Sequence, residues 1–219
     1  MKKKEKTPLQ LQNELFERYP ELMGLWTDFE AAYKAILQCV KEGGKLLVAG
    51  NGGSAADSEH IVGELMKSFL FHRKIDGSFI QDMGKLYGIE GEKLAEKLEG
   101  TITAIPLTSM PALTSAFAND VDAAVSFAQM TYGYGTQGDI MLGISTSGNS
   151  KNIVYAFMTA KAKGMTTIAL TGGNGGRCRE LADIVLCVPE QETFKIQELH
   201  LPIYHALCAM LEAELFEEK

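Results

Sequence analysis

Two pairs of side chains in this sequence have the chemistry to hold a divalent cation or to move a proton. His60 and Glu64 lie four residues apart in the segment that follows the glycine-rich stretch LLVAGNGGS at 46–54. On a helix that spacing puts both on one face, about 40° apart around the axis. Gln197 and His205 lie eight apart near the end of the chain, about two helical turns along and about 80° around. A histidine and a glutamate at i,i+4 are more often a surface pair, and a histidine on an apolar helix is more often a satisfied core group. Imidazole, carboxylate and amide oxygen are nonetheless the donors of a zinc site with one open position. The sequence alone does not bring these two distant segments together.

A second kind of chemistry lies in the loops. Ser145-Thr146-Ser147-Gly148-Asn149-Ser150 follows an apolar run and opens a helix-compatible segment. Hydroxyls and free amides at a helix N-terminus cradle an oxyanion without any lysine or arginine. Ser54 or Ser150 alone reads equally as an ordinary N-cap. Two such loops, with hydroxyls this dense, favour a small phosphorylated ligand. The first loop, with Asn51, Gly52, Gly53 and Ser54, also matches a dinucleotide fingerprint formally, as Gly50-x-Gly52-x-x-Ala55. That reading needs an acidic residue at the end of the second strand to hold the ribose, and Ile105-Pro106-Leu107-Thr108-Ser109 has none. A triphosphate loop needs a lysine after its glycines, and that is missing too.

The elements that must position these groups follow from the apolar pattern. Runs at 45–50, 101–107, 139–145, 166–172 and 183–189 are uniformly apolar, as expected of parallel strands covered on both faces. Helical segments are expected between them at 54–70, 110–130 and 150–163, with two more within 8–42. The alternation predicts an α/β fold, a doubly wound five-stranded parallel sheet flanked by helices, with the site in loops at the strand C-ends. Residues 71–100 are polar and longer than a βα connection requires, an excursion with a helix expected at about 91–99. The last segment, 193–217, predicts a long amphipathic helix with Leu199, Ile203, Leu207 and Leu211 on one stripe, kinked by Pro202 unless it begins there. The chain is taken as a single domain over 1–219.

Composition narrows the function classes. With 219 residues, 46% hydrophobic, the chain can bury a full core. A net charge of −7 argues against nucleic acid or anionic membranes as partners, and Lys2-Lys3-Lys4 reads as a solvated tip. No apolar run reaches the ~18 residues of a membrane span, and residues 1–25 are too polar for a signal peptide. Cys39, Cys178, Cys187 and Cys208 show no CxxC pairing and read as reduced packing residues. A cytoplasmic location is expected.

GNGGS with its following HxxxE, then GISTSGNS, LTGxxGG and IQExHxxxxH, together resemble the sugar isomerase (SIS) family over nearly the whole chain, apart from the first residues and about 70–100. The resemblance implies an aldose–ketose isomerase of phosphorylated sugars, within the branch that interconverts sedoheptulose 7-phosphate and a mannoheptose 7-phosphate through an enediol. It places the family's metal positions, with Zn2+ expected, on His60, Glu64, Gln197 and His205, and its base and acid on Glu64 and His205. It assigns the phosphate to Ser54, Ser145, Thr146, Ser147 and Ser150. Asn51, Asn119 and Asp120 fall near the sugar chain, although Asn-Asp at a helix end is also ordinary turn chemistry. His72 is expected in solvent, and His200 has no assigned role. The resemblance further implies a homotetramer with sites between subunits, for which the apolar N-terminal helix (Leu22, Leu25, Phe29, Tyr33) would suit the packing. The rival readings are a non-catalytic SIS scaffold or regulator and an isomerase of another sugar phosphate, the latter prompted by the 71–100 excursion.

Overall fold

Strands β1 (Leu46–Gly50), β2 (Ala104–Pro106), β3 (Ile140–Ser145), β4 (Thr166–Gly172) and β5 (Ile184–Val188) pair in one all-parallel sheet, in the order β2-β1-β3-β4-β5. The computed structural model describes residues 6–216, so Lys2-Lys3-Lys4 lies outside the described residues. Each strand falls within its expected run. β2 is shorter than expected because Pro106 offers no N–H, which confines it to an edge. Every residue of β1 and β3 is buried, and successive side chains feed opposite cores. Leu46, Val48, Leu142 and Ile144 face one layer, and Leu47, Ala49 and Met141 face the other.

The first layer holds α1 (Pro8–Arg18), α2 (Trp26–Lys41), α3 (Gly53–Met66) and α9 (Thr193–Phe216); the second holds α6 (Ser126–Tyr134), α7 (Lys151–Ala162) and α8 (Gly176–Leu181). α1 starts at a Thr7–Gln10 capping box with Pro8 in its first turn. Leu22, Leu25, Phe29 and Tyr33 are buried in the first core. The expectation that they present an apolar face to another subunit is therefore corrected: the chain's own sheet consumes that face.

Three further expectations change. The helix expected over 110–130 is two helices, α5 (Pro111–Asp120) and α6. The break falls where the Asp122 carboxylate accepts from Ala124 N at 2.8 Å, a local bond that competes with helix continuation. The 71–100 excursion is mostly helical, as α4 (Gly77–Ala95) capped by Asp76 and interrupted at Gly88, where φ is 62°. It leaves and rejoins the domain at one point, with Gly100 N donating to Arg73 O at 2.9 Å. α9 runs through Pro202 as one helix and is buried on nearly all sides from Pro202 to Ala213. It is a core helix rather than an amphipathic one, because α1 and α3 pack beside it in the sheet's first layer. α8 had no counterpart in the sequence reading. All four cysteines are free thiols, three of them buried. Among the described residues no helix is long and apolar enough to cross a membrane.

Candidate functional site

The strand order reverses between β1 and β3: the chain leaves β1 for β2 on one side, then returns to β3 on the other. In open α/β sheets ligands bind at such a switch point, outside the strand C-ends. Both candidate loops lie there, because Gly50 ends β1 opposite Ile144 of β3. They are clasped by a reciprocal amide pair. Asn51 Nδ2 donates to Asn152 Oδ1 at 3.0 Å, and Asn152 Nδ2 donates to Asn51 Oδ1 at 2.8 Å.

The hydroxyl loop is preshaped. Ser145 and Ser150 pair through their hydroxyls at 3.0 Å. Ser150, the N-cap of α7, therefore makes no side-chain bond to its own helix. Ser147 Oγ accepts from Asn149 N at 3.2 Å. The loop after β4 buttresses it from behind: Gly172 N donates to Thr146 O, Cys178 N to Gly148 O and Arg177 N to Asn149 Oδ1. Gly148 has φ +65° and packs against Gly175, leaving no room for a side chain. Ser54 and Ser145 are buried, Thr146 and Ser150 half-buried and Ser147 exposed. The nearby Lys151 ammonium is held by Asp122 at 3.4 Å, so hydroxyls and amides dominate the cradle.

The candidate proton-transfer residues lie further along two helices that run side by side. Gln197, near the start of α9, lies against Gly53 at the start of α3; a Cβ on Gly53 would sit 2.6 Å from Gln197 Nε2. Farther along, the His60 and His205 rings meet edge to face at 5.0 Å. His60 Nε2 lies 2.9 Å from Glu64 Oε1. One ligand atom from each of His60, Glu64 and His205 falls within 4.8 Å of the others. Gly53 and His60 are seven residues apart, about 10 Å along α3. His60, Glu64 and His205, three of the four expected metal positions, converge, and the fourth, Gln197, approaches from the same helix as His205 with its amide against Gly53.

Asp57 and Tyr204, which sequence reasoning missed, set the His60 ring. Tyr204 OH donates to Asp57 Oδ1 at 3.2 Å and stands 3.1 Å from His60 Nδ1. The two ring nitrogens of His60 are thus held between the Tyr204 hydroxyl and the Glu64 carboxylate, and the ring tautomer decides which nitrogen donates. His205 Nε2 is buried and has no hydrogen-bond partner among the described residues. An orphaned imidazole nitrogen beside such a pair fits a metal ion. Burial, and next the neighbouring His60, push the His205 imidazole below its usual range, with Glu64 opposing. The only hint of Asp57 and Tyr204 in the sequence is position: one turn before His60, and directly before His205.

Not every candidate joins these clusters. Asn119 donates to Asp120 at 2.6 Å at the exposed end of α5, and among the described residues neither bonds to the other candidates. His72 is exposed and pairs with Glu99 at 3.3 Å. His200 is buried, bonds Thr171 O at 3.2 Å and packs α9 on the sheet.

A parallel sheet of this order, with an anion cradle at its switch point and an imidazole–carboxylate cluster behind it, defines an α/β protein built to hold and transform a small anionic ligand. The sequence profile of the SIS domain matches residues 24–109 and 103–172, and the chain belongs to the SIS domain family. It is 38% identical over 182 residues to a phosphoheptose isomerase of Burkholderia pseudomallei, covering 83% of this chain and 79% of that one. It is 36% identical over 216 residues to a phosphoheptose isomerase of Sulfurimonas denitrificans, covering 99% and 97%. Among solved structures, phosphoheptose isomerase GmhA from Neisseria gonorrhoeae superposes with a TM-score of 0.70 at 30% identity, over 94% of this chain and 93% of that one.

Proposed function

We propose that this chain is an aldose–ketose isomerase of phosphorylated sugars that interconverts sedoheptulose 7-phosphate and D-glycero-D-manno-heptose 7-phosphate. The observation that carries the reading is the convergence of Glu64, His60 and His205 behind a hydroxyl-lined cradle. The phosphoheptose isomerases to which the chain is similar supply the heptose.

The substrate phosphate sits on Ser145, Thr146, Ser147, Ser150 and Ser54, with the amides of Gly52 and Gly53 close by. Asn51 and Gln197 contact the sugar. Glu64 takes the proton from the carbon beside the carbonyl and returns it to the neighbouring carbon. Meanwhile His205 shifts a proton between the two oxygens of the enediol. A neutral imidazole, with one N–H and one lone pair, can both accept and donate in this exchange. His60, Glu64, Gln197 and His205 would hold zinc, which when bound supplies polarisation of the substrate oxygens. A carboxylate bound to a dication is a weak base, so metal ligation and proton abstraction by Glu64 belong to different states of the site. The same reading takes the chain as one cytoplasmic SIS domain in a homotetramer. The exposed Asn119 and Asp120 would then meet substrate at a subunit boundary.

The test is a panel of five- to seven-carbon ketose phosphates followed by NMR in deuterated water, with zinc supplied. Deuterium should enter at the carbon beside the carbonyl, fastest with sedoheptulose 7-phosphate. No turnover of any member would reject the reading, and faster turnover of a shorter sugar would reject the heptose. Glu64→Gln should cost at least about 100-fold in kcat and leave phosphate-ligand binding intact.

A further inference from the structure

At the root of the 71–100 excursion, Arg73 and Glu212 form an ion pair with both side chains 0% exposed and Nε–Oε1 at 2.7 Å. A buried ion pair is weak evidence for stability, because well-packed apolar residues of like volume often serve as well or better. What it adds is direction, and every additional bond here is aimed at the backbone beside the site. Arg73 Nη2 donates to Glu64 O and Nη1 to Leu65 O, each at 2.7 Å. Those carbonyls belong to the last turn of α3, which has no intrahelical partners for them. Glu212 accepts from Phe69 N and Leu70 N, both at 2.7 Å. The Phe69 ring in turn rests 5.5 Å from the His205 ring. Glu212 is seven residues beyond His205 on α9, about two turns along.

We infer that the Arg73–Glu212 pair is a positioning device that sets the placement of Glu64 on α3 relative to His205 on α9. One guanidinium grips the helix end that carries Glu64, and its carboxylate partner grips the strap that packs on His205. The two grips share a bond, so α3, the 67–73 strap and α9 hold one geometry. The pair touches neither substrate nor the reacting atoms. Its catalytic consequence rests on the isomerase reading above.

The experiment compares wild type with R73M/E212M and with Arg73→Lys. The double variant replaces the pair with apolar side chains. It should lower Tm, because Phe69 N and Leu70 N lose their acceptor and Glu64 O its donor, and the comparison is made at 25 °C where the variant is folded. Its kcat should fall about 10- to 100-fold, and its zinc affinity by a similar factor in calorimetry. Its affinity for inorganic phosphate at the hydroxyl loop should be unchanged. Arg73→Lys keeps a cation for Glu212 but gives up the guanidinium fork, and should show the same pattern if the double variant does not fold. The His60 and His205 ring proton shifts should move in either variant, with His200 as the unmoved control. If the folded variants keep wild-type kcat, zinc affinity and ring shifts, the pair is merely structural and the inference fails. If wild type turns over no sugar phosphate, the isomerase reading fails instead, and zinc affinity and ring shifts still decide the positioning role.

Discussion

Asn51 and Asn152 clasp the two loops of the switch point through amide bonds of 3.0 and 2.8 Å. Asn51 is exposed and Asn152 half-buried, so the clasp shapes the cradle more than it stabilises the fold. Asn152→Ala should therefore raise KM for the sugar phosphate by about 3- to 10-fold, the worth of one or two net hydrogen bonds. Its Tm should stay within about 2 °C of wild type. Steady-state kinetics beside a thermal melt check both halves; an unchanged KM removes the clasp from the binding site.

Gly53 lies so close to Gln197 that an added methyl must move the amide. The amide is the far end of a flexible side chain, so the fold should tolerate Gly53→Ala while Gln197 swings away. Misplacement of a substrate contact by about 1 Å can cost about 100-fold. Gly53→Ala and Gln197→Ala should each lose activity, and the double variant should be no worse than the poorer single, because both remove one contact. Additive losses would separate the two residues.

Zinc should stabilise the wild type through His60, Glu64, Gln197 and His205. Free zinc at 100 times its Kd adds about 2.7 kcal/mol, which raises Tm by about 5–10 °C for a chain of this size. A chelator should reverse the shift. His205→Ala should lose most of it, and an equal shift in that variant would place the metal elsewhere.

His200 gives the protein an acid-sensitive core. Burial lowers its pKa from 6.5 to about 4, partly offset by the bond to Thr171 O. The folded state thus holds the ring neutral while the unfolded chain protonates it near 6.5. Stability from this residue is intact above about pH 6.5, falls as pH drops from there toward 4, and is level below that. The loss amounts to about 3 kcal/mol. His200→Gln should flatten the pH dependence of the urea midpoint between pH 7 and 4.5. An equal slope in wild type and variant would show that the acid sensitivity arises elsewhere.

The strands were legible because their burial is written into consecutive residues: LLVAG, IMLGIS and TTIALTG are apolar on both faces and need no partner to be recognised. The hydroxyl loop was legible for the same reason, since Ser145 to Ser150 are contiguous and the oxyanion chemistry is local. Pro106 and Gly148 also announce themselves, by a missing donor and by backbone freedom. The break in the 110–130 segment was not legible, although Asn119, Asp120 and Asp122 are weak helix formers, because the apolar residues on both sides continue the helical pattern across the point where the Asp122 cap ends it. α9 misled for another reason: its polar residues, His200 and Glu212, are buried with partners supplied by distant parts of the chain.

The sequence by itself determined the parallel sheet, the hydroxyl loop at a strand C-end and the types of the residues that could move a proton. These follow from local periodicity and from contiguous loops. Only the tertiary structure decided that α3 and α9 lie side by side, so that His205 meets His60 and Glu64 while Gln197 stays at Gly53. It alone showed Asp57 and Tyr204 orienting the His60 ring and Arg73 bonding Glu212. Those relationships join residues up to 147 positions apart, and no spacing along the chain encodes which buried donor will find which acceptor once the layers pack.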